Sequence, residues 1–210
     1  MGRARSMSSE NQITLNSYAN KFREYDANSS QTVTGASKEW IDRILARSSK
    51  DANIFEIGTA HARDARYIAG SGYNIKCSDA IQDFVENIRN KGFDAVKFNA
   101  ITDDYDQKYD VIIANAVMPH FNDLEFDNVL AKTIKALNPN GIFAFTIKVG
   151  QGSEWHSDKI DAPRFFRYWS KQEIIDKLLS HGLIEFELQE IQTERAHADW
   201  IYLIVDKPKA

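Results

Sequence analysis

The chain is short of several things, and each shortage removes a class of function. Cys77 is the single cysteine among 210 residues, so neither an internal disulfide nor a cysteine-rich zinc site can be built. It falls in a stretch that reads as a strand, where a buried spacer is its simplest role. No basic tract exists: 26 Lys and Arg face 30 Asp and Glu, a net charge of −4, and bulk charge does not advertise nucleic-acid binding. No apolar run approaches the roughly 20 residues of a membrane span, and no signal-peptide core follows the first charges, so the expected compartment is the cytoplasm. Met1-Gly-Arg-Ala-Arg-Ser6, ahead of a second methionine at Met7, reads as an expression remnant. No two histidines stand at helical ligand spacing with an acid between them, so no metal is expected. Hydrophobic content of 43% and charged content of 27% fit one globular domain long enough to bury a full core.

Against this plain background one stretch stands out. Asn53-Ile-Phe-Glu-Ile-Gly-Thr-Ala-His-Ala62 runs a hydrophobic strand into a tight turn at Gly58, and a helix follows. A second strand, Tyr73-Asn-Ile-Lys-Cys-Ser78, ends on Asp79. The layout suits a nucleoside cofactor: backbone N–H groups and a helix N-terminus meet an anionic group, and the carboxylate accepts from a ribose diol. A dinucleotide fingerprint would place further glycines in the turn, where Ala60 and Ala62 stand instead. Their methyl groups obstruct a diphosphate but tolerate a small amino-acid end. An NAD-dependent oxidoreductase therefore fits worst, and S-adenosylmethionine fits better.

Strands are predicted near 53–57, 74–78, 95–98, 109–115 and 141–148, with helices near 63–70, 80–91, 124–137 and 170–181. Alternation of this kind implies a parallel sheet covered on both faces. Two more strands, near 184–193 and 200–206, close the chain. Residues 1–35 form a polar segment in which Tyr18, Phe22 and Tyr25 follow helical spacing, and 36–210 form the main domain. Ser37 to Ala46 reads as a helix capped by Ser37, and Ser170 with Glu173 reads as a capping box. His181 beside Gly182 suggests a helix C-terminal cap.

The turn resembles motif I of class I S-adenosylmethionine-dependent methyltransferases, with Glu56 and Gly58 matching. Ala62-Arg-Asp-Ala65 is similar to the Gly-Arg-Asp-Ala of a bacterial small-molecule subgroup, with Ala62 replacing glycine. The resemblance implies an α/β, Rossmann-like three-layer sandwich. Its mostly parallel seven-stranded sheet would have the order 3-2-1-4-5-7-6, with strand 7 antiparallel. It also implies that the N-terminal helix, through Tyr18 and Tyr25, closes over the cofactor.

Ligands in such sheets sit beyond the carboxyl ends of the strands. The cofactor residues implied are Glu56, Gly58, Thr59, Ala60 and Arg63 in and after the turn, with Asp79, Ala80 and Ile81 after the second strand. Asn99, Ala100 and Ile101 would flank adenine, by amide and aliphatic contact, and Asn115 and Ala116 would lie beside the methionine end. Arg63 could pair with the methionine carboxylate or stand exposed. His120 is the candidate base, or alternatively a structural or cofactor-facing group; His61 reads as a neighbour of the ligand. Residues 149–169, a polar loop followed by Pro163-Arg-Phe-Phe-Arg-Tyr-Trp169, read either as a connector or as a lid and acceptor region. Trp155, His156, Arg164 and Tyr168 would then meet substrate, and Arg164 or Arg167 would hold an anionic group. His156 and His197 fall in predicted loops.

The expected activity is methyl transfer from S-adenosylmethionine to an oxygen or nitrogen of a small molecule, leaving S-adenosylhomocysteine. Two alternatives stand beside it. A tRNA-directed enzyme of the same fold is suggested by the aromatic segment and opposed by the missing basic footprint. A catalytically silent scaffold module is kept open by Ala60 and Ala62.

Overall fold

A computed structural model describes residues 7–192 and 199–208; His197 and the first six residues lie outside them. The chain begins with two helices, α1 (Ser9–Asn20) and α2 (Phe22–Ala27), broken at Lys21, and then α3 (Gly35–Ala46). The alternating body follows as β1 (Ile54–Glu56), α4 (Arg63–Gly70), β2 (Ile75–Asp79), α5 (Gln82–Asn90), β3 (Ala95–Lys97) and β4 (Tyr109–Ala114). A short 3-10 turn, Met118–His120, leads to α6 (Asp123–Ala136) and the long β5 (Leu137–Val149). The remainder is β6 (Ser153–His156), β7 (Arg164–Trp169), α7 (Lys171–Ser180), β8 (Phe186–Ile191) and β9 (Trp200–Asp206).

β3, β2, β1, β4 and β5 pair in parallel in that order, β9 pairs antiparallel with β5, and β8 pairs antiparallel with β9. This is the expected 3-2-1-4-5-7-6 path with its antiparallel last strand. The difference is an added hairpin, β6–β7, in the segment read from sequence as a polar loop. β4 gives out at Ala114, opposite Phe145 of β5. Lys148 and Val149 then pair in parallel with Tyr168 and Trp169 of β7, so the hairpin takes up the edge that β4 leaves. His156 is accordingly a strand residue, not a loop residue.

Period-two alternation sorts the sheet's side chains onto two faces. Ile54, Val111, Ile113, Ile142, Ala144 and Ile204 meet α3 and α4 on one side, with Trp40, Ile41, Ile44 and Leu45 of α3 buried there. Phe55, Ile112, Phe143, Phe145 and Leu203 meet Phe126 and Leu130 of α6 and Ile174 and Leu178 of α7 on the other. Cys77 packs between α4 and α5 as the spacer expected of it.

Both α6 and α7 start on capping boxes, Asn122 with Glu125 and Ser170 with Glu173, each satisfying orphan N–H groups. α3 starts earlier than expected: Thr34 holds the cap position, and the Ser37 hydroxyl bonds the Tyr202 hydroxyl instead. His181 ends α7, and its ring bonds Asp127. Among the described residues no helix is long and apolar enough to cross a membrane.

α1 is held unusually. The side chains it buries are Asn11, Thr14 and Ser17, one polar residue per turn. Asn11 Nδ2 donates to His120 O at 3.3 Å, Thr14 Oγ1 accepts from Phe165 N at 2.9 Å, and Ser17 Oγ donates to Pro163 O at 2.6 Å. Hydrogen bonds to backbone therefore seat this helix against β7 and the 3-10 turn.

Candidate active site

Where β1, β2, β3 and β4 end, a cleft partly open to solvent lies beneath α1 and α2. Its floor is the β1–α4 turn. Gly58 has φ +66°, and a Cβ there would stand 2.5 Å from Val117 Cγ2, so only glycine lets the two loops approach. Ala60 and Ala62 take φ of 51° and 63°, the left-handed conformation glycine would have adopted. The turn keeps its shape and carries strain instead, about 1–2 kcal/mol per alanine.

Asp79 governs the turn from β2. Its Oδ2 accepts from Ala60 N at 3.0 Å and its Oδ1 from Ile81 N at 2.9 Å. Burial pushes its carboxyl up to about 6, against the pull of those N–H donors. Thr59 faces the sheet, exchanging hydrogen bonds with Ser78 and so fastening the turn to β2. Glu56 is buried, with Oε2 lacking a partner among the described residues. Burial and then the charge of Asp64 push its carboxyl well above the usual range.

Arg63 is only partly exposed, so of its two readings from sequence the freely exposed one does not hold. Its Nε and Nη2 grip Asp64 at 2.6 and 3.2 Å. Asp64 in turn accepts from Asn115 Nδ2 at 2.7 Å, Thr146 Oγ1 donates to Asn115 Oδ1 at 3.1 Å, and Ala116 N donates to Thr146 Oγ1 at 2.8 Å. This chain of bonds fixes the end of β4 against the start of α4.

The third loop departs from expectation. Asn99 and Ala100 line the cleft, but Asn99 Oδ1 accepts from Ile101 N at 2.9 Å and so caps its own turn. Ile101 packs in the core and is not among the residues that line the cleft. Phe84 and Phe98 line the cleft in its place. Both look like core residues in the sequence, and no local signal separates them from it.

Over the cleft, Tyr18 and Tyr25 meet edge to face with centroids 5.1 Å apart. The Tyr18 hydroxyl lies 3.0 Å from His120 Nε2, and His120 Nδ1 lies 2.7 Å from Phe165 O. A carbonyl only accepts, so Nδ1 carries the proton and Nε2 accepts from Tyr18. Burial pulls His120 down to about 4 and raises Tyr18. His61 turns away from the cleft, its Nε2 donating to Ser30 O at 2.9 Å.

Trp155, His156 and Tyr168 do not line the cleft. They sit on the hairpin, with Trp155 half-exposed against Phe165 and the Tyr168 hydroxyl 2.7 Å from His156 Nε2. Phe166 connects them inward, its ring contacting both His156 and His120. Arg167 is committed to Asp123 at 2.7 Å and Glu173 at 3.2 Å, which removes it as an anion anchor. Arg164 is buried beside Tyr18.

No curated protein matches the chain by sequence. Residues 29–184 match a family model described as a methyltransferase domain. Solved structures share the fold at low identity. The 1,6-didemethyltoxoflavin-N1-methyltransferase of Burkholderia thailandensis, bound to its namesake compound and S-adenosylhomocysteine, superposes with a TM-score of 0.75 at 12% identity, covering 97% of this chain and 92% of that one. The DhpI-SAM-HEP complex gives 0.73 at 14%, covering 95% and 99%. Magnesium protoporphyrin IX methyltransferase from Synechocystis PCC 6803, with bound SAM, gives 0.71 at 12%, covering 95% and 98%. The chain belongs to the methyltransferase-domain family, and its fold is that of the class I S-adenosylmethionine-dependent methyltransferases.

Proposed function

We propose that this chain transfers a methyl group from S-adenosylmethionine to an oxygen or nitrogen of a small-molecule acceptor. The observation that carries the reading is Asp79, a buried carboxylate in the wall of the same cleft as Gly58, Asn99 and Asn115. Two backbone N–H groups occupy one lone pair on each of its oxygens, which leaves acceptor capacity for a ribose diol. Phe84 and Phe98 offer apolar faces to a purine, and Arg63 keeps Nη1 for a carboxylate while Asp64 holds the rest of its fork. The residues present therefore fit the cofactor.

When bound, the cofactor supplies a methyl group already activated by its sulfonium sulfur. What falls to the protein is positioning and the exclusion of water. α1 and α2 cover the cleft, with the Tyr18 hydroxyl held on His120 Nε2 in its wall. His120 is too weak a base at neutral pH to be a general proton sink, since burial holds it near 4. Its role is to orient Tyr18, whose hydroxyl donates to Nε2. The hairpin β6–β7, reached through Phe166, forms the acceptor side.

Calorimetric titration with S-adenosylhomocysteine tests the reading. Micromolar binding that Asp79→Ala weakens by about 1–3 kcal/mol, the cost of an unpaired hydrogen-bonding group, is the expected result. A well-folded wild type that binds none would sink it and return the silent-module alternative.

A further inference from the structure

The cations around the acceptor side have an uncommon arrangement. Arg164 is 6% exposed, yet its Nε has no partner among the described residues, and its Nη1 reaches only the Tyr18 hydroxyl at 3.5 Å. Its guanidinium rests on rings, 5.2 Å from the Phe166 centroid and 5.8 Å from that of Tyr18. Lys148, at the end of β5, sets its ammonium 4.1 Å from the same Phe166 ring. Lys159, in the connection between β6 and β7, sets its own 4.1 Å from the Tyr25 ring.

None of the three forms an ion pair with a described residue. Aromatic faces soften the burial of a cation, but each contact contributes only about 0.5–2 kcal/mol. A buried guanidinium with an idle N–H is costly without an acceptor. Burial and the charge of Arg164 depress both lysines, Lys159 to about 8, so Arg164 repels each of them. Glu154 and Asp158 act on Lys148 in the opposite sense but more weakly than burial and Arg164. Arg167, two residues from Arg164, shows the contrast: it is held by two carboxylates and serves as a strut.

We propose that Arg164, Lys148 and Lys159 form an oxyanion subsite beside the Tyr18–His120 pair, and that the methyl acceptor carries a carboxylate or phosphoryl group seated there. The idle Nε–H and a flanking Nη–H present a planar fork suited to two oxygens of either group, and the two lysines add point charge without geometric demand. The inference rests on the methyltransferase reading and narrows it: the acceptor is an anionic small molecule anchored by its charged end.

The test is NMR observation of the Arg164 Nε–H signal, identified by its loss in Arg164→Lys. The protein, with and without S-adenosylhomocysteine, is titrated with inorganic phosphate, with acetate, and with chloride at matched ionic strength. A saturable shift with phosphate or acetate, absent with chloride, is expected. Lys148→Met and Lys159→Met should each weaken it several-fold, and Arg164→Lys should lower anion affinity, read by calorimetry, at least tenfold. Tighter binding of phosphate would assign a phosphoryl group, and tighter binding of acetate a carboxylate. No saturable shift, an equal response to chloride, or unaltered affinity in the two lysine variants would overturn the subsite. Because the titration is also run without S-adenosylhomocysteine, failure to bind that ligand would count against the cofactor reading and leave the anion result to stand by itself. Should Arg164→Lys not fold, the lysine variants decide the matter.

Discussion

The hydroxyl of Tyr18 and Nε2 of His120 lie 3.0 Å apart, joining the N-terminal helix to the loop after β4. Because Phe165 O takes the Nδ1 proton, the pair requires a neutral imidazole. Burial lowers His120 from 6.5 to about 4 in the folded protein. Between those values the unfolded chain binds a proton that the folded chain refuses, so stability falls as pH falls and levels off below about 4. The loss should approach about 3 kcal/mol. Urea unfolding from pH 7 to 4, compared with His120→Asn, isolates it: the stability difference between the two proteins should shrink across that window. A constant difference would remove the buried neutral histidine from the account.

Asp79 titrates in the opposite sense and should show itself in ligand affinity. Burial raises its carboxyl from 3.8 to about 6, whereas a ribose diol needs an ionised acceptor. Affinity for S-adenosylhomocysteine should be flat above about pH 6 and fall by up to tenfold per unit below it, as the proton must leave first. Calorimetry across pH 5 to 8 reads this slope, and Asp79→Asn should abolish it.

Gly58→Ala tests the close approach of the first and fourth loops. The new methyl would meet Val117 Cγ2 at 2.5 Å on a backbone at φ +66°. Overpacking and left-handed strain together should cost about 2–4 kcal/mol. Pairing it with Val117→Ala removes the clash and leaves the strain, so the cost of the glycine change should drop to about 1–2 kcal/mol in that background. Equal costs in both backgrounds would show that Val117 is not the obstacle.

Thr14→Val and Ser17→Ala remove two of the hydrogen bonds that seat α1. Each should weaken docking by about 1–3 kcal/mol, because a buried backbone group loses its partner. Limited proteolysis within α1 should quicken several-fold while the main unfolding transition moves little. A matching fall of the whole transition would mean that α1 and the sheet unfold as one unit.

Much of this architecture was legible in the sequence, for a physical reason. β4 is almost continuously apolar and α5 carries Phe84, Val85 and Ile88 at helical spacing, so burial wrote its period into the residues. The loops after β1, β2 and β4 followed from those strands, and with them Gly58, Asp79 and Asn115. α1 was visible only at Tyr18, because its buried stripe is Asn11, Thr14 and Ser17, which no apolar periodicity can reveal. β6 was hidden because Ser153, Glu154 and Trp155 are exposed and impose no alternation. Ile101 misled because an aliphatic residue beside the cleft and one beneath it look the same in one dimension.

The segment over the cleft is fastened at two places. α1 is tied to β7 and the 3-10 turn, while beyond α2 Ser30 O accepts from His61 and Gln31 O accepts from Arg66 at 3.1 Å, on the side of the β1–α4 turn. A cover secured at both ends cannot swing like a flap on one hinge. Where the cover must open wider for a ligand to pass, one fastening has to let go first, and which one yields would set the order of passage. Release on the β7 side would admit acceptor molecules while the nucleoside stays enclosed; release at Ser30 and Gln31 would do the reverse. The slow step of turnover in the proposed enzyme would then be a matter of latches, set by a few polar contacts far from the transferred methyl group.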